Sequence, residues 1–174
     1  MKAIISHPLF AVRPWEPSDA ASLAFHANDV RISRNVRDAF PNPYAISDAE
    51  AYIASTFHPS AAGCNFAIVI NNEAAGGIGI IPQTDVERYS AEIGYWLGAT
   101  YHNRGIMTEA VRTFAAYVFE HTSLVRLFAS VFDFNIASAR TLEKAGFRLV
   151  GKLRKAGFKD GRFVDMGYYE LIGN

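Results

Sequence analysis

Apolar residues recur at helical spacing at Met107, Ala110, Val111, Phe114 and Val118, while Glu109, Arg112, Thr113 and Glu120 take the other side. That pattern predicts a long amphipathic helix. The runs AEIGYWLG and LVRLFASVF, rich in branched and aromatic residues, bracket it and read as strands. NIASARTLEKAGF then reads as a helix ended by Gly146, and GYYELI as a last strand. Upstream, FAVRPWEP alternates like a strand, and PSDAASLAFHAND follows as a short helix for which Ser18 or Asp19 is the candidate cap. SDAEAYIASTF carries Ser47 and Glu50 at capping-box spacing, which predicts a helix start there. NFAIVI, the turn residues NNE, and AAGGIGIIP read as a hairpin. The glycines of GGIGI, Gly76 to Ile80, alternate with strand residues and no helical pattern follows, so they mark a strand rather than a phosphate loop.

This order of elements predicts an α/β layered fold whose sheet mixes parallel and antiparallel pairs. At 174 residues and half apolar, the chain fits one domain over 1–174, with the proline-containing stretch Phe40 to Tyr44 the nearest thing to a boundary. Seventeen basic and seventeen acidic side chains cancel, so no overall field argues for nucleic acid or an anionic membrane, and any anion must be held locally. MKAIISHPLFAVRPWEP lacks the long apolar centre of a secretory signal, and no apolar run approaches the roughly 20 residues that span a bilayer. The expectation is a soluble, cytoplasmic protein. Cys64 is the single cysteine, which excludes an intrachain disulfide, and within CNFAIVI it reads as a core thiol. Histidines at 7, 26, 58, 102 and 121 have no metal-ligand spacing, so no metal is expected.

The stretch YHNRGIMTEA lies between a strand and the long helix. A helix start leaves backbone N–H groups unpaired and carries partial positive charge. Gly105 permits close approach to the backbone and Arg104 adds a charge, so the segment suits a pyrophosphate. By itself it suits an ordinary helix start with a tight glycine turn equally well.

Taken together, AEIGYWLG, YHNRGIMTEAV and SVFDFNIASARTLEKAGF resemble the GNAT family of acetyl-CoA-dependent N-acetyltransferases, and look most like its RimJ/RimL-type branch. RPWEPSDAASLAF and DAFPNPYAISDAEAYI extend the resemblance over nearly the whole chain. It implies a splayed mixed sheet with acetyl-CoA between two parallel strands. By resemblance, His102, Asn103, Arg104, Gly105, Ile106, Met107 and the following Thr108 hold the pyrophosphate through backbone amides. Tyr95, Trp96 and Leu97 pair with the pantetheine arm and direct an amide at the thioester oxygen. Asn135 binds the pantetheine side, and Ser138 stands where this branch is thought to protonate the departing thiolate. The loop departs from the family's Q/R-x-x-G-x-G/A pattern at His102 and Met107, and Leu142 stands where many relatives outside the branch carry an acidic tyrosine.

Acetyl transfer requires a neutral amine, and a lysine or polyamine titrates near ~10 and a protein α-amine near ~8. Glu92, on the strand face shared with Gly94 and Trp96, is the candidate general base, with a water chain or a structural ion pair as alternatives. A strand amide near Tyr95 to Leu97 is the candidate oxyanion donor. A thiol leaves with a pKa near ~8.5, so Ser138 is useful without being indispensable. It could equally be a helix cap. The acceptor pocket implied by resemblance draws on Arg34, Asn35, Arg37, Phe40 and Tyr44, and on Asp165 and Tyr168 of the charged, loop-like stretch RKAGFKDGRFVDMGYY. The expected activity is direct acetyl transfer to a primary amine, either a protein N-terminal α-amine or a small molecule. Dimers are common in the branch, which admits a homodimer. The competing readings are a non-catalytic acyl-CoA-binding sensor module and, more distantly, a protein that binds another nucleotide through the same loop.

Overall fold

The structure is a computed structural model and describes residues 2–58 and 64–173. The strands are β1 (Ile5–His7), β2 (Phe10–Pro14), β3 (Asn65–Ile70), β4 (Glu73–Pro82), β5 (Ser90–Leu97), β6 (Arg126–Phe132), β7 (Arg148–Lys159) and β8 (Arg162–Ile172). The helices are α1 (Ala20–Ala27), α2 (Val30–Ser33), α3 (Ile46–Thr56), α4 (Ile106–His121) and α5 (Ile136–Ala145). The strands form one eight-stranded sheet in the order β1-β2-β3-β4-β5-β6-β8-β7, with β5 and β6 parallel. The mixed α/β sheet expected from the sequence is therefore present. By internal packing the chain divides into two compact units, Met1–Gly79 with Tyr95–Ala110, and Ile80–Gly94 with Val111–Asn174.

In the first unit, Asn71 and Asn72 both take positive φ, 50° and 66°, and close the β3–β4 hairpin with the primed-turn twist that suits paired strands. The core is built on Trp15, Leu23, Ala49, Ile53, Ala67 and Ala74, with Phe40, Tyr52 and Trp96 packed against it. β4 must be thin to allow this. A Cβ on Gly76 would stand 2.5 Å from the Trp96 carbonyl oxygen, and one on Gly77 would stand 2.7 Å from the Trp96 indole nitrogen.

The helix starts differ in detail from the sequence reading. Asp19 does not cap α1 with its side chain; its carboxylate takes two hydrogen bonds from the Arg13 guanidinium, at 2.7 and 2.8 Å, and one from the Glu16 N–H at 2.8 Å. The Ser47/Glu50 box is not used either. α3 begins two residues earlier, at Ile46 with Ala45 as its N-cap, because the Asp48 carboxylate accepts from the Ala45 N–H at 2.8 Å, which leaves Ser47 and Glu50 exposed on the helix. Cys64 precedes β3 rather than lying within it; it is half-buried, and that burial pushes its thiol pKa up.

In the second unit α4 continues and buries Val111, Phe114, Ala115 and Val118, while α5 buries Leu142 and Ala145. The Arg112 guanidinium donates to the Lys144 carbonyl at 2.7 Å and ties α4 to the end of α5. Gly146 ends α5 at φ 103°, as expected of a left-handed cap. The charged stretch read as loop is instead a long hairpin, β7 against β8, turning at Asp160 (φ 49°) and Gly161 (φ 76°). Asp-Gly favours this two-residue turn, and the local charges had masked the strand pattern. The β7 register shifts twice, between Leu149 and Gly151 and between Leu153 and Gly157.

Asp19 is 5% exposed, and removing it leaves the Arg13 guanidinium with the Pro14 carbonyl at 3.0 Å and the Glu16 carboxylate at 4.0 Å. Asp19→Ala is expected to cost about 2–3 kcal/mol, somewhat less than for a fully sequestered pair because Arg13 retains some access to solvent. Urea unfolding of the two proteins measures the difference.

Candidate active site

The chemistry of the first unit begins where β5 ends. The Gly98 N–H donates to the Ala75 carbonyl at 2.7 Å, so the main chain of Gly98 faces β4. Main-chain groups alternate along a strand, so Trp96 shares that direction, as its close approach to Gly76 shows. Tyr95 and Leu97 therefore turn their main-chain groups to the opposite edge of β5. The Leu97 carbonyl lies 2.8 Å from Nε2 of His102, an atom that must carry the proton to bond an oxygen. His102, which departs from the family's loop pattern, thus closes the loop back onto its own strand.

Between them, a 3-10 turn at Ala99–Tyr101 leads into the loop. Asn103 (φ 60°) and Gly105 (φ 75°) both have positive φ and flank Arg104, which makes the loop a tight, irregular turn into α4. Helical hydrogen bonding begins with the Glu109 N–H to the Gly105 carbonyl at 3.2 Å, so the amides of Ile106, Met107 and Thr108 stand at the open end of α4. Arg104 is exposed with its guanidinium 5.6 Å above the Tyr101 ring, and Met107 is half-buried in the first turn. The arrangement offers an anion several aligned amides, a helix dipole and a nearby charge.

Phe40 lies 5.7 Å from Trp96 and 4.8 Å from Tyr44, so two of the expected acceptor residues meet one of the expected cofactor residues in one aromatic cluster. Burial is the main cause that lifts the Tyr44 hydroxyl to about 12, so it stays neutral. Arg34 and Asn35 are not brought into this cluster: Arg34 is exposed at the end of α2, and the Asn35 amide donates back to the Arg31 carbonyl at 2.9 Å.

In the second unit the parallel register of β5 and β6 joins Ser90–Glu92 to Arg126–Phe128. β5 runs on past that register, and Gly94 is exposed with nothing within 4 Å of where a Cβ would sit. Glu92 pairs across with Phe128, whose ring stacks on Tyr168 of β8 at 5.3 Å. Glu92 and Tyr168 thus flank one aromatic residue on a single sheet face. On the same face Glu170 accepts from Arg126 at 3.0 Å and from Arg148 at 2.7 Å, and these two arginines, Arg148 foremost, hold its carboxyl below the usual range. Asp165 accepts from the Lys155 N–H at 2.8 Å, which makes it a brace of the hairpin. Asn135 caps α5: its Oδ1 accepts from the Ser138 N–H at 3.2 Å, which leaves the Asn135 NH2 group to donate elsewhere. Leu142 is fully buried, so the tyrosine position of other relatives is a packing position here.

A family profile described as an acetyltransferase (GNAT) domain matches residues 10–148. The chain belongs to the GNAT family of acetyltransferases. Within that family it is 29% identical over 166 residues, 92% of this chain and 90% of the relative, to YdaF of Bacillus subtilis (strain 168), described as a candidate ribosomal N-acetyltransferase. A shorter match, 47% identical over 66 residues and covering 38% of this GNAT chain and 36% of the relative, is to the probable N-acetyltransferase YjcK of the same organism. Among solved structures, RimL, the ribosomal L7/L12 α-N-protein acetyltransferase in complex with coenzyme A, superposes with a TM-score of 0.86 at 18% identity, covering 99% of this chain and 98% of that one. At that identity the likeness speaks to the fold, which is the GNAT fold.

The sequence reading missed His26, Asp29 and Arg31. The D-x-R spacing at the start of α2 was visible; the Asp29 side chain accepts from the Arg31 N–H at 2.8 Å and from the Arg31 guanidinium at 2.6 Å. The guanidinium first, then the Arg31 amide, and more weakly the charge of His102, hold the Asp29 carboxyl down to about 2. Since the folded pKa is depressed, the stabilisation from this cap is full above the ordinary carboxylate value of about 4 and is lost as pH falls through about 2. A carboxyl carbon NMR titration should place Asp29 near about 2, and Arg31→Ala should return it toward about 4.

Proposed function

We propose that this GNAT protein transfers the acetyl group of acetyl-CoA directly to the N-terminal α-amine of a protein, acting as a single acetyltransferase domain. The observation that carries this reading is the loop from His102 to Thr108, with two positive-φ residues around Arg104 and the open amides of α4 behind it. A pyrophosphate is the ligand such a loop suits, and RimL, which shares the fold, is described in complex with coenzyme A. The description of RimL as an α-N-protein acetyltransferase, and of YdaF as a candidate ribosomal one, supports a protein α-amine over a small amine.

In this reading His102, Asn103, Arg104, Gly105, Ile106, Met107 and Thr108 receive the phosphates. The main-chain groups of Tyr95 and Leu97, with Trp96 fixed between them, receive the pantetheine, and an amide of this strand polarises the thioester carbonyl. Because the Leu97 carbonyl already accepts from His102, Leu97 joins that pairing through its N–H. Asn135 offers its NH2 group to the pantetheine amides, with its oxygen already committed to α5. Gly94, open where a Cβ would stand, leaves room for the thioester.

The reaction joins the amine nitrogen to the acetyl carbon, and the C–S bond breaks as the tetrahedral intermediate collapses. The proton leaving the amine passes to Glu92, directly or through water, and the thiolate takes a proton from Ser138 or solvent. An α-amine is already partly neutral near pH 7, so the base is asked for less than a lysine acceptor would demand. For the acceptor the first unit offers Phe40 and Tyr44, whose rings lie 4.8 Å apart, and the second offers Tyr168, stacked on Glu92's strand partner Phe128.

Thiol release from acetyl-CoA against a panel of α-amino peptides, polyamines and amino acids tests the reading. Release dependent on α-amino peptides is expected. Coenzyme A binding with no release on any acceptor would instead favour a binding module. Glu92→Gln is expected to lower kcat by about 100-fold with coenzyme A affinity unchanged, and Ser138→Ala to lower it by about tenfold or less.

A further inference from the structure

Adjacent positions of α1 are inverted: His26 is buried, at 6% exposed, while Phe25 is 74% exposed. Burying an imidazole in place of the neighbouring phenyl ring forfeits apolar burial and desolvates a polar group. Nε2 of His26 makes no hydrogen bond among the described residues; the nearest charge is the exposed Glu73 carboxylate, 3.6 Å away. An orphaned buried polar atom calls for an explanation in terms of what else the ring contacts.

The ring contacts the turn that delivers the phosphate loop. A Cβ on Gly98 would stand 2.6 Å from Nδ1 and 3.0 Å from Cγ of His26, so the backbone of Gly98 lies directly on the imidazole edge. Gly98 has φ −53°, a value open to any residue, so the imidazole and the Ala75 carbonyl, 3.1 Å from the same Cβ position, are what require glycine there. At the other end of the 3-10 turn the Tyr101 ring lies 5.7 Å from the His26 ring, and its own face carries the Arg104 guanidinium at 5.6 Å. One buried side chain therefore touches both ends of Ala99–Tyr101, and through Tyr101 it supports the loop's only arginine.

We propose that His26 is a positioning residue for the cofactor: its ring sets Gly98 and Tyr101, and hence where Arg104 and the amides after Gly105 present themselves to the pyrophosphate. This rests on the acetyl-CoA reading above. His26 touches no reacting atom, so its loss should appear in cofactor affinity rather than in turnover.

The test is coenzyme A calorimetry and acetyl-CoA steady-state kinetics on the wild type, His26→Ala, Gly98→Ala, the double variant and Tyr101→Leu, with thermal unfolding of each. His26→Ala and Gly98→Ala should each raise the coenzyme A Kd and the acetyl-CoA KM about tenfold with kcat within about twofold, and Tyr101→Leu should raise Kd by a few-fold. In the double variant the imidazole at 2.6 Å is gone and the Ala75 carbonyl at 3.1 Å is the close contact that remains for the new methyl, so the combined loss should fall well short of the product of the two single losses. A lowered Tm with unchanged Kd in the folded single variants would reduce His26 to a packing residue and overturn the proposal, as would losses that multiply in the double variant. Should His26→Ala fail to fold, His26→Gln and Gly98→Ala decide the matter by the same comparison of Kd. A wild type that binds no coenzyme A would sink the acetyl-CoA reading itself, whatever the variants do.

Discussion

The hydrogen bond from Gly98 to Ala75 sets the phase of everything that follows it in the first unit. Strand main-chain groups alternate in direction, so this one contact assigns Trp96 to the β4 side and sends Tyr95 and Leu97 to the opposite edge. A register slip of one residue would exchange these roles and turn each side chain to the other face of the sheet. The thin glycine positions of β4 protect the register, because only there can the Trp96 carbonyl and indole come so close. The 3-10 turn, the tie from His102 to Leu97 and the start of α4 then follow within a few residues, each fixed by a short local contact.

The second unit achieves its order differently. Glu170 lies between two arginines on neighbouring strands and fastens β6, β7 and β8 at one level. The ring of Phe128 continues that layer between Tyr168 and the Glu92 position.

Much of this was readable from the sequence wherever one period dominated. The long helix α4, the β3–β4 hairpin, β5, β6, α5 and its Gly146 cap follow from apolar spacing and turn residues, and the mixed character of the sheet follows from their order. The loop's fitness for an anion was also readable, since it depends on backbone and glycine rather than on distant partners. Features that rest on contacts remote in sequence were not. Phe40 meeting Trp96 joins positions far apart in the chain, and Arg13 drawing off the Asp19 carboxylate defeats an otherwise sound capping rule. β7 was hidden for another reason. Its residues are exposed along nearly its whole length, so no apolar alternation announces it.

That exposure has a consequence for how the protein survives its own synthesis. β7 closes one end of the sheet, and an unpaired strand edge of this length invites a strand from another molecule. Two register shifts interrupt the regular ladder that such recruitment needs, and Lys152, Arg154 and Lys155 give it a run of exposed like charges. A second chain approaching with the same strand meets repulsion and a mismatched ladder at once. The irregular hairpin therefore acts as a guard against self-templated aggregation, and it does so while lending its other strand to the sheet that carries Tyr168.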